Sequence, residues 1–275
     1  MPVSDDPDQS NEEVSLTTVM NRGREKPMGF FEHLEEMRWM LIKCAAVFMV
    51  FAVLIGYFMR EFNDVLIWPL LKVQSEYPTV DLSLGTNSPI EGFNVVVQMC
   101  IMGGLVLAAP FMLLFIGRFV SPALTEKELK VVLPLCFAAF VLFLCGAAFG
   151  FLLLVPGTLR TSTEINLMFH YTTRWTAASY FNLLAWLVLG VGAVFEFPLL
   201  ILLMVWLGIM TTTFLRKFRR HAIVVIFIIA AVITPSTDPG TMALMAAPLY
   251  VLFELAILVG AQVEKRRMVR ERKKT

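Results

Sequence analysis

The sequence predicts an all-α membrane protein whose chain crosses the bilayer six times. Hydrophobic residues make up 57% of the chain and charged residues only 16%, whereas soluble domains carry about 25% charged residues. The apolar residues also form continuous blocks instead of the alternating pattern of a transmembrane β-barrel. Most blocks reach the ~20 residues that a helix needs to cross a ~30 Å hydrocarbon core.

The predicted spans are residues 39–59, 92–117, 127–155, 180–210, 221–234 and 239–262. The fifth block is short, since a helix of that length extends only ~21 Å, so we expect flanking residues to extend it or the bilayer to thin beside it. Residues 1–28 are polar and are predicted to be a disordered cytoplasmic tail. Residues 29–262 form the predicted membrane domain, and residues 263–275 form a basic tail.

Capping motifs mark the predicted starts of three helices. "SPIE" at 88–91 combines a Ser88 cap, Pro89 at the first helical position and Glu91 in a capping box. "TEKE" at 125–128 offers a second box. In "DPGT" at 238–241, the Asp238 side chain supplies an acceptor and Pro239 takes the first helical position.

The distribution of basic residues predicts the orientation. If the N-terminus lies inside, the inside segments hold 19 Lys and Arg residues and the outside segments hold 4. This asymmetry favours six spans with both termini in the cytoplasm, in a cell (inner) membrane. The net charge is only +1, and we expect no nucleic-acid partner.

Two glutamates lie within predicted spans. Glu196 sits near the middle of the fourth block, where a carboxylate costs at least ~2.5 kcal/mol unless it faces protein or water or is protonated. The functional interpretation is the default, and a structural hydrogen bond between helices is the alternative. For Glu254, in the sixth block, the structural and functional interpretations are both open.

The stretch "FEHLEEMRWML" at 31–41 places three acids before the first span. On a helical wheel, Glu35 can pair with Arg38, whereas Glu36 has only His33 within reach. Glu36 is therefore the acid without a good local base. The alternative is that these acids simply stabilise the positive end of the helix dipole.

No catalytic or metal-binding pattern is present in the sequence. The three histidines are far apart, the four cysteines lie inside apolar blocks, and no HExxH, GxSxG, P-loop or dinucleotide-binding motif occurs. We expect neither an enzyme nor a bound cofactor or metal.

The motifs "FEHLEEMRWMLIK", "SPIEGF", "FVSPALTEKELK", "FEFPLLILLMVWLGI" and "TPSTDP…APLYVLFEL", taken in order, resemble the TatC family. This family is the receptor core of the twin-arginine, Sec-independent protein translocase. The resemblance implies a concave bundle of six transmembrane helices. It also implies binding of twin-arginine signal peptides on folded cargo, transport driven by the proton-motive force, and assembly with single-span TatA- and TatB-like subunits and further TatC copies.

The resemblance also implies roles for individual residues. The family's signal-recognition acids match Glu36 and Glu128, with Arg38 in an orienting role, and the intramembrane glutamate that contacts a partner subunit matches Glu196. From the residues alone, the favoured role of Glu128 is the capping box with Thr125, which is compatible with recognition if the carboxylate faces solvent. The positions that shape loops or spans are Pro69, Pro110, Phe119, Pro122 and Asp238.

Some positions depart from the family pattern. After Glu128 the family often continues with two arginines, whereas this chain has Leu129 and Lys130. The stretch "TPSTDP" is one residue longer than its family counterpart. The alternative function is a proton- or ion-coupled secondary transporter that uses Glu196 and Glu254 as carriers, although such transporters usually contain internal repeats and none is found here.

Overall fold

Helices make up nearly all of the regular structure. The computed structural model describes residues 30–78, 80–120, 126–235 and 238–272. These residues form no β-strand, and the backbones of Gly85 and Thr176 make an isolated bridge. The all-α prediction is therefore confirmed. The chain divides into two units, Met1–Ile42 and Lys43–Thr275.

Along the chain, the described residues form ten α-helices. They are α1 (Phe30–Tyr57), α2 (Met59–Glu76), α3 (Glu91–Val120), α4 (Glu126–Phe149), α5 (Val155–Met168), α6 (Ala177–Phe195), α7 (Phe197–Leu207), α8 (Thr212–Lys217), α9 (Arg219–Ile233) and α10 (Pro239–Arg272).

Among the described residues, five helical segments are long and apolar enough to cross a membrane. They are Phe31–Tyr57, Glu91–Phe119, Leu133–Met168, Ala177–Leu207 and Pro239–Lys265. These correspond to the first four predicted spans and the sixth. The fifth predicted span corresponds to α9, which has only 15 residues and extends about 22 Å. Its membrane crossing therefore stays a prediction.

The third span is longer than the sequence predicts. Instead of ending near residue 155, the helix passes through a π-helical turn, Gly150–Leu154, and continues as α5 to Met168. Pro156 follows that turn and has no N–H for the carbonyl of Leu152, which favours a local widening of the helix. The 36-residue span is about 54 Å long, so part of it extends beyond a ~30 Å hydrocarbon core.

Two helices, α2 and α5, occupy segments outside the predicted spans. α2 and α5 are joined by an ion pair between Arg160 and Glu76 at 2.5 Å. Beside it, the Tyr77 hydroxyl donates to Glu164 at 2.8 Å, and this bond raises the pKa of Tyr77. The C-terminal end of α2 is thereby attached to α5.

Glu91 joins the beginnings of α3 and α6. One carboxylate oxygen accepts the Asn87 backbone N–H at 2.6 Å, and the other accepts the Ala178 backbone N–H at 3.1 Å. The regular helix begins at Glu91, so Pro89 lies in the preceding turn and not at the first helical position. The predicted acidic cap is present, but it serves two helices, because the N–H groups at a helix start need acceptors.

The predicted cap of the last helix is confirmed. Asp238 accepts the Thr241 backbone N–H at 2.8 Å, and Pro239 is the first residue of α10. At the end of α9, the Trp186 indole donates to the carbonyl of Ile233 at 3.0 Å. Since carbonyls at a helix end lack partners within the helix, Trp186 helps to hold this short helix against α6.

Close contact between α4 and α6 depends on glycines. A Cβ atom at Gly146 would lie 2.7 Å from the Phe195 ring, and one at Gly192 would lie 2.8 Å from the Phe143 ring. At Gly150 it would lie 2.9 Å from the carbonyl oxygen of Leu187. Small residues at such contacts let membrane helices pack backbone to backbone. The fully buried face of α6 beside them includes Leu184, Leu187 and Val191.

The Gly192→Ala substitution tests this packing. We expect the free energy of unfolding to fall by about 1–3 kcal/mol, because the added methyl overlaps the Phe143 ring. The measurement is thermal unfolding of the full chain in detergent.

Gly190→Ala, on the same helix, is the matched control. A Cβ there meets nothing nearer than Ile233 at 3.8 Å, and alanine is a better helix former by roughly 0.5–1 kcal/mol. We expect its melting temperature to equal or exceed that of the wild type. Equal losses in both variants would contradict the packing argument.

Candidate functional site

The acidic segment, residues 32–38, lies in the first turns of α1. Glu32, His33, Glu35 and Arg38 have exposed side chains, whereas Glu36 is half-buried. Within the part of the chain that the structure describes, Arg38 forms no ion pair with Glu35, although their spacing permits one. Arg38 therefore remains available for an external partner.

Glu36 is distinguished from the other acids by its surroundings. Its Oε2 atom is shielded from solvent and has no hydrogen-bond partner among the described residues. This agrees with the helical-wheel result that Glu36 lacks a local base. An unsatisfied carboxylate oxygen costs about 1–3 kcal/mol or more, so a cationic donor placed there would be bound favourably.

The second predicted recognition acid lies near the start of α4, the helix that follows α3 in the chain. Glu128 is in the first turn of α4, in a stretch whose side chains are outside the described part of the structure. Pro122 and Thr125 also fall outside the described residues. The alternatives for Glu128, a cap or a ligand for arginine, therefore stay predictions.

The fourth span is broken at Glu196. α6 ends at Phe195 and α7 begins at Phe197, and Leu199 and Leu200 both donate their backbone N–H groups to the Glu196 carbonyl, at 3.0 and 3.1 Å. Pro198 has no N–H to donate to the carbonyl one turn before it. The break therefore places an acid at a discontinuity in the regular backbone hydrogen bonding of the span.

The Glu196 side chain is also short of partners. Its Oε1 atom is shielded from solvent and, among the described residues, accepts no hydrogen bond. The neighbouring residues Val194, Phe197 and Pro198 line an apolar groove of about 100 Å³ that is completed by α9 and α10. An acid with an unused acceptor next to an apolar groove is suited to bind a donor on another transmembrane helix.

Glu254, in contrast, is fully partnered. Its Oε2 forms an ion pair with Arg219 at 2.7 Å, and its Oε1 accepts the Tyr250 hydroxyl at 3.2 Å. Arg219 is the first residue of α9, so this pair attaches α9 to α10. This pair is not predicted from the sequence, in which the basic run at 216–220 is the available signal.

The remaining predicted positions have different surroundings. Pro69 is buried inside α2 instead of shaping a loop, and the Leu66 carbonyl one turn earlier accepts the Tyr180 hydroxyl at 2.6 Å. Pro110 is half-buried inside α3, and Phe119 lies at the end of the same helix. Asp238 is the cap of α10. Their functional roles stay predictions.

A metal or cofactor site is not indicated by the described side chains. In the ranges that the structure describes, no group of three or more His, Cys, Asp or Glu residues is placed to hold a metal ion.

Comparisons with known proteins give the same family over most of the chain. A family model described as "Sec-independent protein translocase protein (TatC)" matches residues 32–248. The TatC protein of Koribacter versatilis is 34% identical over 252 residues and covers 90% of this chain and 90% of its own. That of Aquifex aeolicus is 31% identical over 234 residues, which are 85% of this chain and 95% of its own.

Two solved structures are similar in fold as well as in sequence. A crystal structure described as twin arginine translocase receptor TatC in DDM superposes with a TM-score of 0.71 at 30% identity, covering 83% of this chain and 99% of that chain. A second crystal structure of this receptor gives a TM-score of 0.67, also at 30% identity, covering 84% of this chain and 99% of that chain.

The two intramembrane glutamates should respond in opposite directions to neutralisation. Glu196→Gln should raise the free energy of unfolding by about 1 kcal/mol, because an ionisable group whose shielded Oε1 has no hydrogen-bond partner among the described residues is replaced by a neutral amide. Glu254→Gln should lower it by up to about 1 kcal/mol, because the partly exposed pair with Arg219 is lost. Thermal unfolding in the same detergent measures both. Destabilisation by Glu196→Gln of the same size as by Glu254→Gln would show that Glu196 has a stabilising partner.

Proposed function

The chain belongs to the TatC family of Sec-independent protein translocase proteins, and we propose that it is the subunit that recognises twin-arginine signal peptides. It is a multi-pass membrane protein and a component of a protein translocase. The observation that carries the receptor proposal is the unpartnered Oε2 of Glu36, inside the region that matches the family. The cargo on this view is a folded protein, and transport draws on the proton-motive force.

A pair of arginines requires acceptors of a particular geometry. A guanidinium group donates two parallel hydrogen bonds to a carboxylate, which gives a strength and planarity that lysine does not reproduce. Glu36, in α1, and Glu128, in the first turn of α4, supply two carboxylates from separate segments, one for each arginine. Arg38 is exposed and not paired with Glu35 in the described structure, which leaves it free to orient the peptide or the Glu36 carboxylate.

Glu196 is proposed as the contact for a single-span partner subunit of the TatA or TatB type. Support comes from the unused acceptor Oε1 and from the apolar groove formed beside it by Val194, Phe197 and Pro198. A polar side chain on the partner helix would satisfy the carboxyl, while its apolar face would fill the groove. Further copies of the chain complete the proposed assembly.

The proposed topology has six spans with both termini in the cytoplasm. It rests on the 19 to 4 distribution of Lys and Arg and requires α9 to cross the membrane in addition to the five longer segments. The short α9 would then lie in a locally thinned bilayer or be extended by flanking residues.

The secondary-transporter alternative is not supported. Glu254 is paired with Arg219 and Tyr250, so it is not an unoccupied carrier, and the relatives are named as translocase proteins. We expect liposomes that contain the chain to show no solute uptake under a pH gradient.

Replacing both recognition acids should abolish signal-peptide binding. We expect Glu36→Gln with Glu128→Gln to remove crosslinking to a peptide that carries two consecutive arginines, because each arginine loses its carboxylate. The measurement is photocrosslinking to the full chain in membranes. A peptide with two lysines should crosslink weakly to the wild type.

Glu32→Gln with Glu35→Gln is the matched control. It removes two charges from the same turns of α1 and should leave the crosslink unchanged. If the control loses the crosslink as fully as the test variant, general electrostatic attraction explains binding. If the test variant binds as the wild type does, the receptor assignment of these acids is wrong.

Glu196→Ala should separate peptide recognition from assembly. We expect crosslinking of the twin-arginine peptide to persist, while co-purification of the single-span subunits falls at least about tenfold, as for loss of about 1.4 kcal/mol of binding. Glu254→Ala serves as the comparison variant, because its carboxylate is already occupied by Arg219. Unchanged co-purification with Glu196→Ala would exclude the proposed contact.

A further inference from the structure

An apolar groove of about 330 Å³ lies between α9 and α10 and is not used by the proposed receptor site. Its lining includes Ile223, Phe227, Ala243, Ala246, Ala247 and Tyr250. Small alanine side chains on α10 keep the groove open, and no charged residue lines it. The groove is therefore suited to hold a hydrocarbon chain.

One end of the groove is polar. Tyr250 lines the groove and donates to Glu254, which pairs with Arg219. Arg219 is therefore occupied, but its neighbours Lys217 and Arg220 are exposed and form no ion pair among the described residues. Arg220 thus lies about one helical turn before Ile223, where the groove begins, and Lys217 is the last residue of α8, three residues before Arg220.

The exposed face of α9 continues the same arrangement. Arg220 is followed at intervals of four residues by Val224, Ile228 and Val232, with exposures of 58%, 57% and 67%. Residues four apart lie on one face of a helix, and this stripe extends about 18 Å. That length is close to one leaflet, about half of a ~30 Å hydrocarbon core. A cation therefore stands at the head of an apolar stripe one leaflet long.

Two exposed aromatic side chains adjoin the basic residues. Phe214 and Phe218 stack with ring centroids 4.3 Å apart, and both are exposed. They extend the apolar surface beside Lys217 and Arg220, so these cations border a region that suits acyl chains.

We propose that this face is a binding site for an anionic phospholipid. Lys217 and Arg220 hold the phosphate, one acyl chain occupies the groove between α9 and α10, and the stripe on α9 carries the other chain. A negative headgroup matches the two unpaired cations. A retained lipid also covers the side of a helix that is too short for a relaxed bilayer. This site is independent of the proposed peptide receptor.

The test measures the lipids that the full chain retains. The protein is reconstituted in nanodiscs of equal phosphatidylglycerol and phosphatidylcholine, extracted in mild detergent, and examined by native mass spectrometry. The wild type should retain phosphatidylglycerol in preference to phosphatidylcholine. Lys217→Gln with Arg220→Gln should lower that preference by about fivefold for each cation removed.

Two further variants test whether lipid retention depends on these two cations and on this groove. Arg60→Gln with Arg174→Gln removes two exposed cations elsewhere and should leave the preference unchanged. Ala243→Phe fills the groove and should reduce the number of retained lipids of either headgroup. The proposal is overturned if the wild type shows no preference or if the control pair lowers it equally. It is also overturned if Ala243→Phe leaves lipid retention intact and instead weakens co-purification of a single-span subunit, which would make the occupant a protein helix.

Discussion

The absence of water from the hydrocarbon core is the constraint on which this structure depends. Each backbone or side-chain polar group within it needs a partner supplied by the protein, and the ends and breaks of the helices are where such partners are found. Glu91 serves the beginnings of α3 and α6, Asp238 serves α10, and Trp186 serves the end of α9. Four shielded side-chain oxygens have no partner among the described residues, on Glu36, Gln98, Thr158 and Glu196. Of these, the carboxylate oxygens of Glu36 and Glu196 are the places where a cationic or polar binding partner would complete the hydrogen bonding.

Much of the fold could be predicted because long apolar blocks have few alternatives in a bilayer. Five of the spans, apart from the end of the third, and the Asp238 cap followed from hydropathy and local motifs. α2 did not, because Met59–Glu76 has low mean hydropathy and contains Pro69, a combination that indicates a loop. A helix forms there because neighbours satisfy its polar groups, as Tyr180 does for the Leu66 carbonyl. α5 was not predicted either, because Pro156 near its start usually ends a helix. Here a π-helical turn precedes Pro156 and the helix continues.

The candidate site could be predicted only in part. Glu36 emerged from local spacing and from family motifs, since its neighbours in the helix are known from the sequence. Glu196 and Glu254 looked alike as isolated acids in apolar blocks. Only the tertiary structure distinguishes them, because Arg219 lies 35 residues from Glu254 and no local pattern predicts that pair. What determines the role of an intramembrane acid here is the helix packed against it.

The long third span connects two distant parts of the molecule. From Glu126 to Met168 the chain is helical without interruption through α4, the π-helical turn and α5. If Glu128 binds an arginine, as proposed, no loop separates it from the residues of α5. There the Arg160–Glu76 ion pair joins this helical segment to α2. The proposed arginine site and the contact with α2 thus belong to one helical segment and lie about 48 Å apart along it.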